Sequence, residues 1–334
     1  MRLATDNATT SLAPTTSTNT HCGDLEPGVC IVCGGPLGQR VASVFDTRFG
    51  IAGEYEVRRC SRCQLEQMFP VPTPEELKSL YESHYNFGGE KNTLYTNLRE
   101  WFFSSFLYRL WIRLDGDISF HGRAGTGRLL DIGCNEGRGL KIYAQNGFRV
   151  EGCELNETAA AVARDRGFTV HTSSTGDLTF STPYDVAVLS NVLEHAPDPR
   201  QMLLEAHRIL SLNGQVWISC PNNQSCLRNV FGNYWINWHV PFHISQFSAQ
   251  TVRALLEQTG FTRIEIRQVT PALWVAMSII ARIFAKEGRP TRELRNPILV
   301  IALLFLVRFA AFPVLWLLNR QGRGDCLLIT ASKV

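Results

Sequence analysis

Charge is scarce in this chain: only 19% of its 334 residues are charged, and 33 Lys and Arg against 30 Asp and Glu leave a formal net charge of +3. So small a surplus gives no compositional argument for a nucleic-acid partner, because proteins that track phosphates concentrate basic residues on one face. A continuous apolar core near the N-terminus is also missing. Residues Met1 to Gly28 are rich in Thr, Ser, Asn and Ala, with no apolar period to offset the entropy of ordering, and are expected to form a disordered arm. Without a signal-like segment there, the protein is expected in the cytoplasm. No internal repeat is visible. Apolar residues, at 45%, are plentiful enough for one large core plus a satellite module.

The 10 cysteines do not have the layout of a small secreted disulfide scaffold, since several are scattered through core-like segments. Four of them form two knuckles, Cys30-x-x-Cys33 and Cys60-x-x-Cys63, separated by 26 residues. That arrangement supplies four thiolates to a tetrahedral zinc. Neither pair opens a helix in a βαβ pattern, which argues against thioredoxin-like redox work. Between Val29 and Phe69, five Arg face four acidic residues, so the module has little electrostatic footprint for nucleic acid and its zinc is read as structural.

Residues 29–85 are therefore expected to form a zinc-binding module of ribbon type. A helical connector is expected over 86–127, with Trp101, Phe102, Phe106, Leu110 and Trp111 roughly on helical spacing. From Arg128 short apolar runs alternate with amphipathic segments: RLLDIG, RGLKIYAQNG, FRVEGCEL, ETAAAVARDRG and FTVHT make a βαβαβ unit. The alternation continues through the strand YDVAVLSNV, the helix DPRQMLLEAHRILSLNG closed by Gly214, and the strand QVWISCPN. A helix N-capped by Ser248 and the strands FTRIEIRQVT and DCLLITASK complete seven strands over 128–334, with an apolar insertion at 271–324.

Within this pattern, LLDIGCNEG (Leu129 to Gly137) lies where a strand runs into a helix. Gly133 and Gly137 permit a sharp turn and close backbone approach to a ligand, and Asp131 can hold its charged portion. About twenty residues on, Glu154 ends the second strand, where a carboxylate can accept both ribose hydroxyl protons of an adenosine.

Through LLDIGCNEG, Glu154 and LSNVLEHAPDP (Leu189 to Pro199), residues from Gly127 to about Val269 and from Asp325 to Lys333 resemble class I S-adenosylmethionine-dependent methyltransferases. The resemblance implies an α/β, Rossmann-like seven-stranded sheet with the last strand antiparallel, and S-adenosylmethionine as donor. It implies that Asp131, Gly133, Asn135 and Gly137 hold the methionine portion, Glu154 the ribose, Asp177 and Leu178 the adenine, and Ser190 or Asn191 the methionine end. Asn135 stands where the family usually has glycine; Asn is the side chain that best tolerates positive φ. The cysteine pairs followed by FPVPTPEELKSLYESHY resemble the N-terminal region of bacterial methyltransferases that act on sugars and other small metabolites. Two alternatives stay open: a nicotinamide-dependent oxidoreductase, although GCNEG is not a G-x-G-x-x-G loop, and an RNA methyltransferase using its zinc ribbon on nucleic acid.

A hydroxyl or carbon-acid acceptor calls for a base. The candidates are His195 in LEHAPDP, and His239 and His243 in the aromatic-rich NYWINWHVPFHISQFS, where Trp235, Trp238 and Phe242 either cover an acceptor or pack a core. The acceptor is expected to be a small molecule, a sugar or a lipid-linked glycan. In the insertion, Pro297 to Leu318 carries Arg308 as its only charge, and AKEGRPTRELRN has four basic and two acidic residues. One crossing would divide a single sheet across a bilayer, so the expectation is a monotopic hairpin on the inner face of the cytoplasmic membrane, with a dimer interface or a lid as rivals.

Overall fold

A computed structural model describes residues 28–84, 100–172 and 182–334. All of the expected arm but Gly28, and residues 85–99 of the module edge and connector, lie outside them.

The main sheet has seven strands in the order β6-β5-β4-β7-β8-β11-β10: β4 (Arg128–Ile132), β5 (Arg149–Cys153), β6 (Val170–His171), β7 (Tyr184–Ser190), β8 (Leu210–Pro221), β10 (Phe261–Val269) and β11 (Cys326–Lys333). The first five run parallel, while β11 lies between β8 and β10 and is antiparallel to both. The seven strands are as the sequence pattern predicts, and the antiparallel last strand is as the family resemblance implies. Leu129, Leu130, Ala187, Val188 and Leu189 are fully buried, as expected where helices cover both faces of a parallel sheet. The strand order reverses between β4 and β7, and ligands of open α/β sheets bind outside the carboxyl ends of the strands at such a point.

One helix is shorter than expected. It ends at Ile209, and Leu210 already belongs to β8, so Gly214 does not close it. Instead, Asn213 at φ 62° and Gly214, where a Cβ would lie 2.9 Å from the Ser211 carbonyl, shape an irregular start to β8. Ser248 caps the helix Ala249–Gln258 in a reciprocal box with Thr251.

The N-terminal strands β1 (Leu37–Phe45), β2 (Glu54–Cys60) and β3 (Glu66–Phe69) form an antiparallel sheet whose fourth strand, β9 (Ser245–Gln246), comes from beyond β8. The two parts also share cores: Val44, Val57 and Met68 pack with Trp235, Trp238, Ala272 and Val275. Trp235 and Trp238 are thus packing residues rather than walls of an acceptor pocket.

The insertion holds three α-helices, α8 (Ala272–Phe284), α9 (Pro297–Ala310) and α10 (Phe312–Arg320), with a 3-10 turn, Arg292–Arg295, before α9. Pro297 to Leu318 is not one rod, because α9 and α10 bend by 68° at Ala311, and no single helix among the described residues is long and apolar enough to cross a membrane. Helix α8 buries Val275, Ala276, Ile280 and Ala281 against the core, which removes it from the expected hairpin. Arg308 is buried in an ion pair with Asp115 of the connector helix Phe106–Asp115, at 2.9 Å, and also donates to the Leu114 carbonyl. Asp115 also accepts the Ala272 amide at 2.8 Å, so connector, α8 and α9 are fixed at one point. Breaking a buried pair leaves a charge uncompensated; Arg308→Met is expected to cost about 3–5 kcal/mol in urea unfolding, with part recovered in Asp115→Asn/Arg308→Met.

Candidate active site

At the carboxyl end of β4 the chain turns through three left-handed residues, Gly133 (φ 76°), Asn135 (φ 50°) and Gly137 (φ 76°). A Cβ at Gly133 would meet Val192 at 2.6 Å and one at Gly137 would meet Ala163 at 2.9 Å, so both positions require glycine for space as well as for φ. Asn135 takes a glycine-like conformation; its side-chain oxygen accepts the Glu136 amide at 2.7 Å, the local bond that makes Asn tolerable there. Glu154, just past β5, accepts the Asn135 amide (3.0 Å) on one oxygen and the Asn156 amide (2.8 Å) on the other. The loop and the carboxylate hold each other in place.

Beside the loop opens a cleft of about 200 Å³, lined by Asp131, Gly133, Asn135, Glu136, Tyr143 and Ser190 among others. Asp131 is 7% exposed and has no hydrogen-bond partner among the described residues. Burial, and then the Glu154 carboxylate, pushes its pKa up to about 7. A buried acid with no cation paired to it, in a cleft whose Arg138 is already engaged by Glu100 and Glu136, is suited to a cationic ligand group. Ser190 donates to the Ile118 carbonyl (3.1 Å), and Asn191, at φ 54°, has a buried side-chain oxygen without a partner among the described residues. Asp177 and Leu178 lie outside the described residues.

Sequence reasoning missed Ser119, His121, Arg138 and Tyr143, which also line this cleft. His121 faces the Tyr108 hydroxyl through Nδ1, and burial pushes its pKa down to about 4. It comes from a loop between connector and β4 that carries no motif.

Beyond β7 a short 3-10 turn, Leu193–His195, brings His195 beside His239 and His243. His239 Nδ1 lies 3.3 Å from His243 Nε2, and His195 Nδ1 lies 2.9 Å from the Tyr81 hydroxyl of the helix Pro74–His84. Phe242 packs edge-on to Phe49 and Tyr81, so the N-terminal region helps to build this wall. The carboxylate that anchors the histidine loop is remote in sequence: Asp325, fully buried, accepts from Ser225, from Trp235 Nε1 (2.8 Å) and from Asn237 Nδ2 (3.1 Å).

At the knuckles, Cys30 Sγ lies 3.6 Å from Cys63 Sγ and Cys33 Sγ lies 3.5 Å from Cys60 Sγ, with all four within 4.8 Å of one another. A disulfide would hold its sulfurs about 2.05 Å apart, whereas Zn–S bonds of about 2.3 Å place tetrahedral sulfurs roughly 3.8 Å apart. The four thiols fit a tetrahedral metal. The Cys60 sulfur also accepts the Arg62 and Cys63 amides, as in a metal knuckle.

Residues 104–266 match a family model described as a methyltransferase domain. The ubiquinone biosynthesis O-methyltransferase of Pseudomonas aeruginosa is 34% identical over 109 residues, which is 30% of this chain and 47% of that enzyme, so the chain spans about half the length of this curated relative. An uncharacterised protein of Methanocaldococcus jannaschii is 27% identical over 163 residues, covering 48% of this chain and 76% of that protein. Among solved structures, phosphoethanolamine N-methyltransferase 2 of Haemonchus contortus in complex with S-adenosyl-L-methionine superposes with a TM-score of 0.50 at 18% identity, covering 80% of this chain and 62% of that one, a likeness of fold.

Proposed function

From a chain that carries a class I S-adenosylmethionine-dependent methyltransferase domain, we propose that the protein transfers a methyl group to a small-molecule, sugar or lipid-linked glycan acceptor. One observation carries the reading: two carboxylates, Asp131 and Glu154, stand at neighbouring strand ends around a left-handed loop at the switch point of the sheet. The donor supplies a methyl on a sulfonium, displaced in line, so the protein's main task is alignment. Asp131 faces the methionine ammonium, Glu154 takes the ribose hydroxyls, Ser190 and Asn191 border the methionine end, and Asp177 and Leu178 are assigned to the adenine. His195, His239 and His243 stand on the acceptor side, and a structural zinc in Cys30, Cys33, Cys60 and Cys63 holds the N-terminal sheet against them. Incubating cell extract with methyl-labelled donor and purified enzyme, then partitioning the label into lipid, water-soluble and macromolecular fractions, tests the acceptor class. Label in RNA or protein alone contradicts the reading.

A second reading places the protein on an anionic membrane surface. Phe106 and Leu110 of the connector helix, Ile301, Phe305 and Phe309 of α9, and Trp316 of α10 are all more than two-fifths exposed, and the Trp111 and Phe305 rings touch across the two helices at 5.5 Å. An apolar face spread over three helices is more than scattered surface residues require. Lys286, Arg289, Arg292 and Arg295 are exposed in the segment that enters α9, which favours lipid headgroups over a second copy of the chain. At about 1 kcal/mol per basic residue, replacing Arg289, Arg292 and Arg295 by Gln is expected to weaken binding to phosphatidylserine vesicles by roughly 100-fold. A wild-type protein that ignores such vesicles and dimerises through this face contradicts it.

A further inference from the structure

The three histidines are arranged as ligands. One ring nitrogen from each of His195, His239 and His243 lies within 4.8 Å of the others. One of the rings is oriented from behind by a backbone carbonyl: His243 Nδ1 donates to the Asn237 carbonyl at 2.8 Å. A carbonyl behind a ring fixes the tautomer that offers the other nitrogen to a metal.

An independent observation points the same way. Glu194 is 1% exposed, neither carboxylate oxygen has a hydrogen-bond partner among the described residues, and Oε1 lies 4.0 Å from His243 Nε2. A buried carboxylate without donors is costly, and a cation beside it removes the cost. We propose that His195, His239 and His243, with Glu194 beside them, bind a divalent transition metal of the zinc type. Zn–N bonds of about 2.0–2.1 Å place tetrahedral nitrogens roughly 3.4 Å apart, and His239 Nδ1 and His243 Nε2 stand 3.3 Å apart. His195 offers one ring nitrogen to the ion; where that is Nδ1, the Tyr81 hydroxyl 2.9 Å away yields its hydrogen bond on loading.

An ion at this point lowers the pKa of a bound hydroxyl, which names an alcohol, enol or phenol as the acceptor. That use rests on the methyl-transfer reading; the metal site does not.

Cobalt distinguishes this site from the cysteine site, because only thiolate ligands give a sulfur-to-metal charge-transfer band. Full-length protein reconstituted with Co²⁺ is expected to hold one ion at each of the two clusters, the second showing visible d–d bands without charge transfer. His243→Gln is expected to lose that second ion, with the thiolate band and S-adenosylhomocysteine binding intact. His195→Gln, at the less buried position, gives a second variant with the same expected loss. Wild-type protein that takes up only thiolate-bound cobalt overturns the proposal, as does full retention of both ions in either variant. Donor binding, measured separately by calorimetry, succeeds or fails independently of these results.

Discussion

Asp131→Asn is expected to cut affinity for S-adenosylhomocysteine by roughly 30- to 100-fold, the value of a charge-assisted hydrogen bond worth about 2–3 kcal/mol, and to make the protein more stable. The two effects have one cause. Burial and the neighbouring Glu154 raise the Asp131 pKa from 3.8 to about 7. The folded state therefore binds a proton that the unfolded chain has released across that window, and this group's contribution to stability falls as pH rises from about 4 to 7. Above it, the ionised carboxylate destabilises the fold by an amount on the order of 2–4 kcal/mol. Asparagine removes both the charge and the pH dependence. The donor's ammonium requires the ionised form, so wild-type affinity is expected to weaken by about tenfold per pH unit below pH 7, and the variant's to stay flat. Calorimetry across pH 5.5 to 8.5, with thermal unfolding of both proteins, measures all of this. A wild-type affinity independent of pH would remove Asp131 from the donor's cationic group.

Loss of the metal proposed at the knuckles is expected to have the largest effect on stability. Structural zinc contributes about 10–16 kcal/mol of apparent binding energy in small fingers. Here the sheet also packs on the main core through Leu37, Leu65, Phe247 and Leu255, so part of the fold survives. Cys60→Ser is expected to cost about 5 kcal/mol or more, lowering the unfolding midpoint by about 10 °C. The functional consequence is selective. Strand β3 pairs with β9, and the Met68 amide donates to the Ile244 carbonyl at 2.9 Å, directly beside His243. The cleft beside Asp131 is instead lined from the ends of β4 and β7 and the loops around them. Methyl transfer should therefore fall far more than S-adenosylhomocysteine affinity. A Cys60→Ser protein that retains full activity and its midpoint would mean that the thiols hold no structural metal.

The main sheet was legible because its signals are local. LLDIG and YDVAVLS are apolar runs bounded by turn residues, Ser248 has its capping partner three residues on, and the left-handed loop announces itself through glycines and an asparagine. What the sequence did not disclose depends on contacts distant along the chain. Asp325 anchors the histidine loop from 90 residues beyond Trp235, Tyr81 reaches His195 from the N-terminal region, and β9 joins a sheet that looked self-contained. Glu194, inside LEHAPDP, carries no signal in the sequence; only its burial marks it. The apolar insertion misled for the converse reason. Hydropathy cannot separate α8, which fills the core, from α9, which displays its side chains, nor foresee that Arg308 turns inward to Asp115.

Titration of the folded full-length protein with S-adenosylhomocysteine, beside the Glu154→Ala variant, tests the central claim most directly. The account predicts saturable one-site binding by the wild type and a loss of at least tenfold in the variant, because a carboxylate that accepts two ribose hydroxyls contributes about 1.5–3 kcal/mol. Folded wild-type protein that gives no heat with S-adenosylhomocysteine but binds a nicotinamide dinucleotide tightly would contradict it.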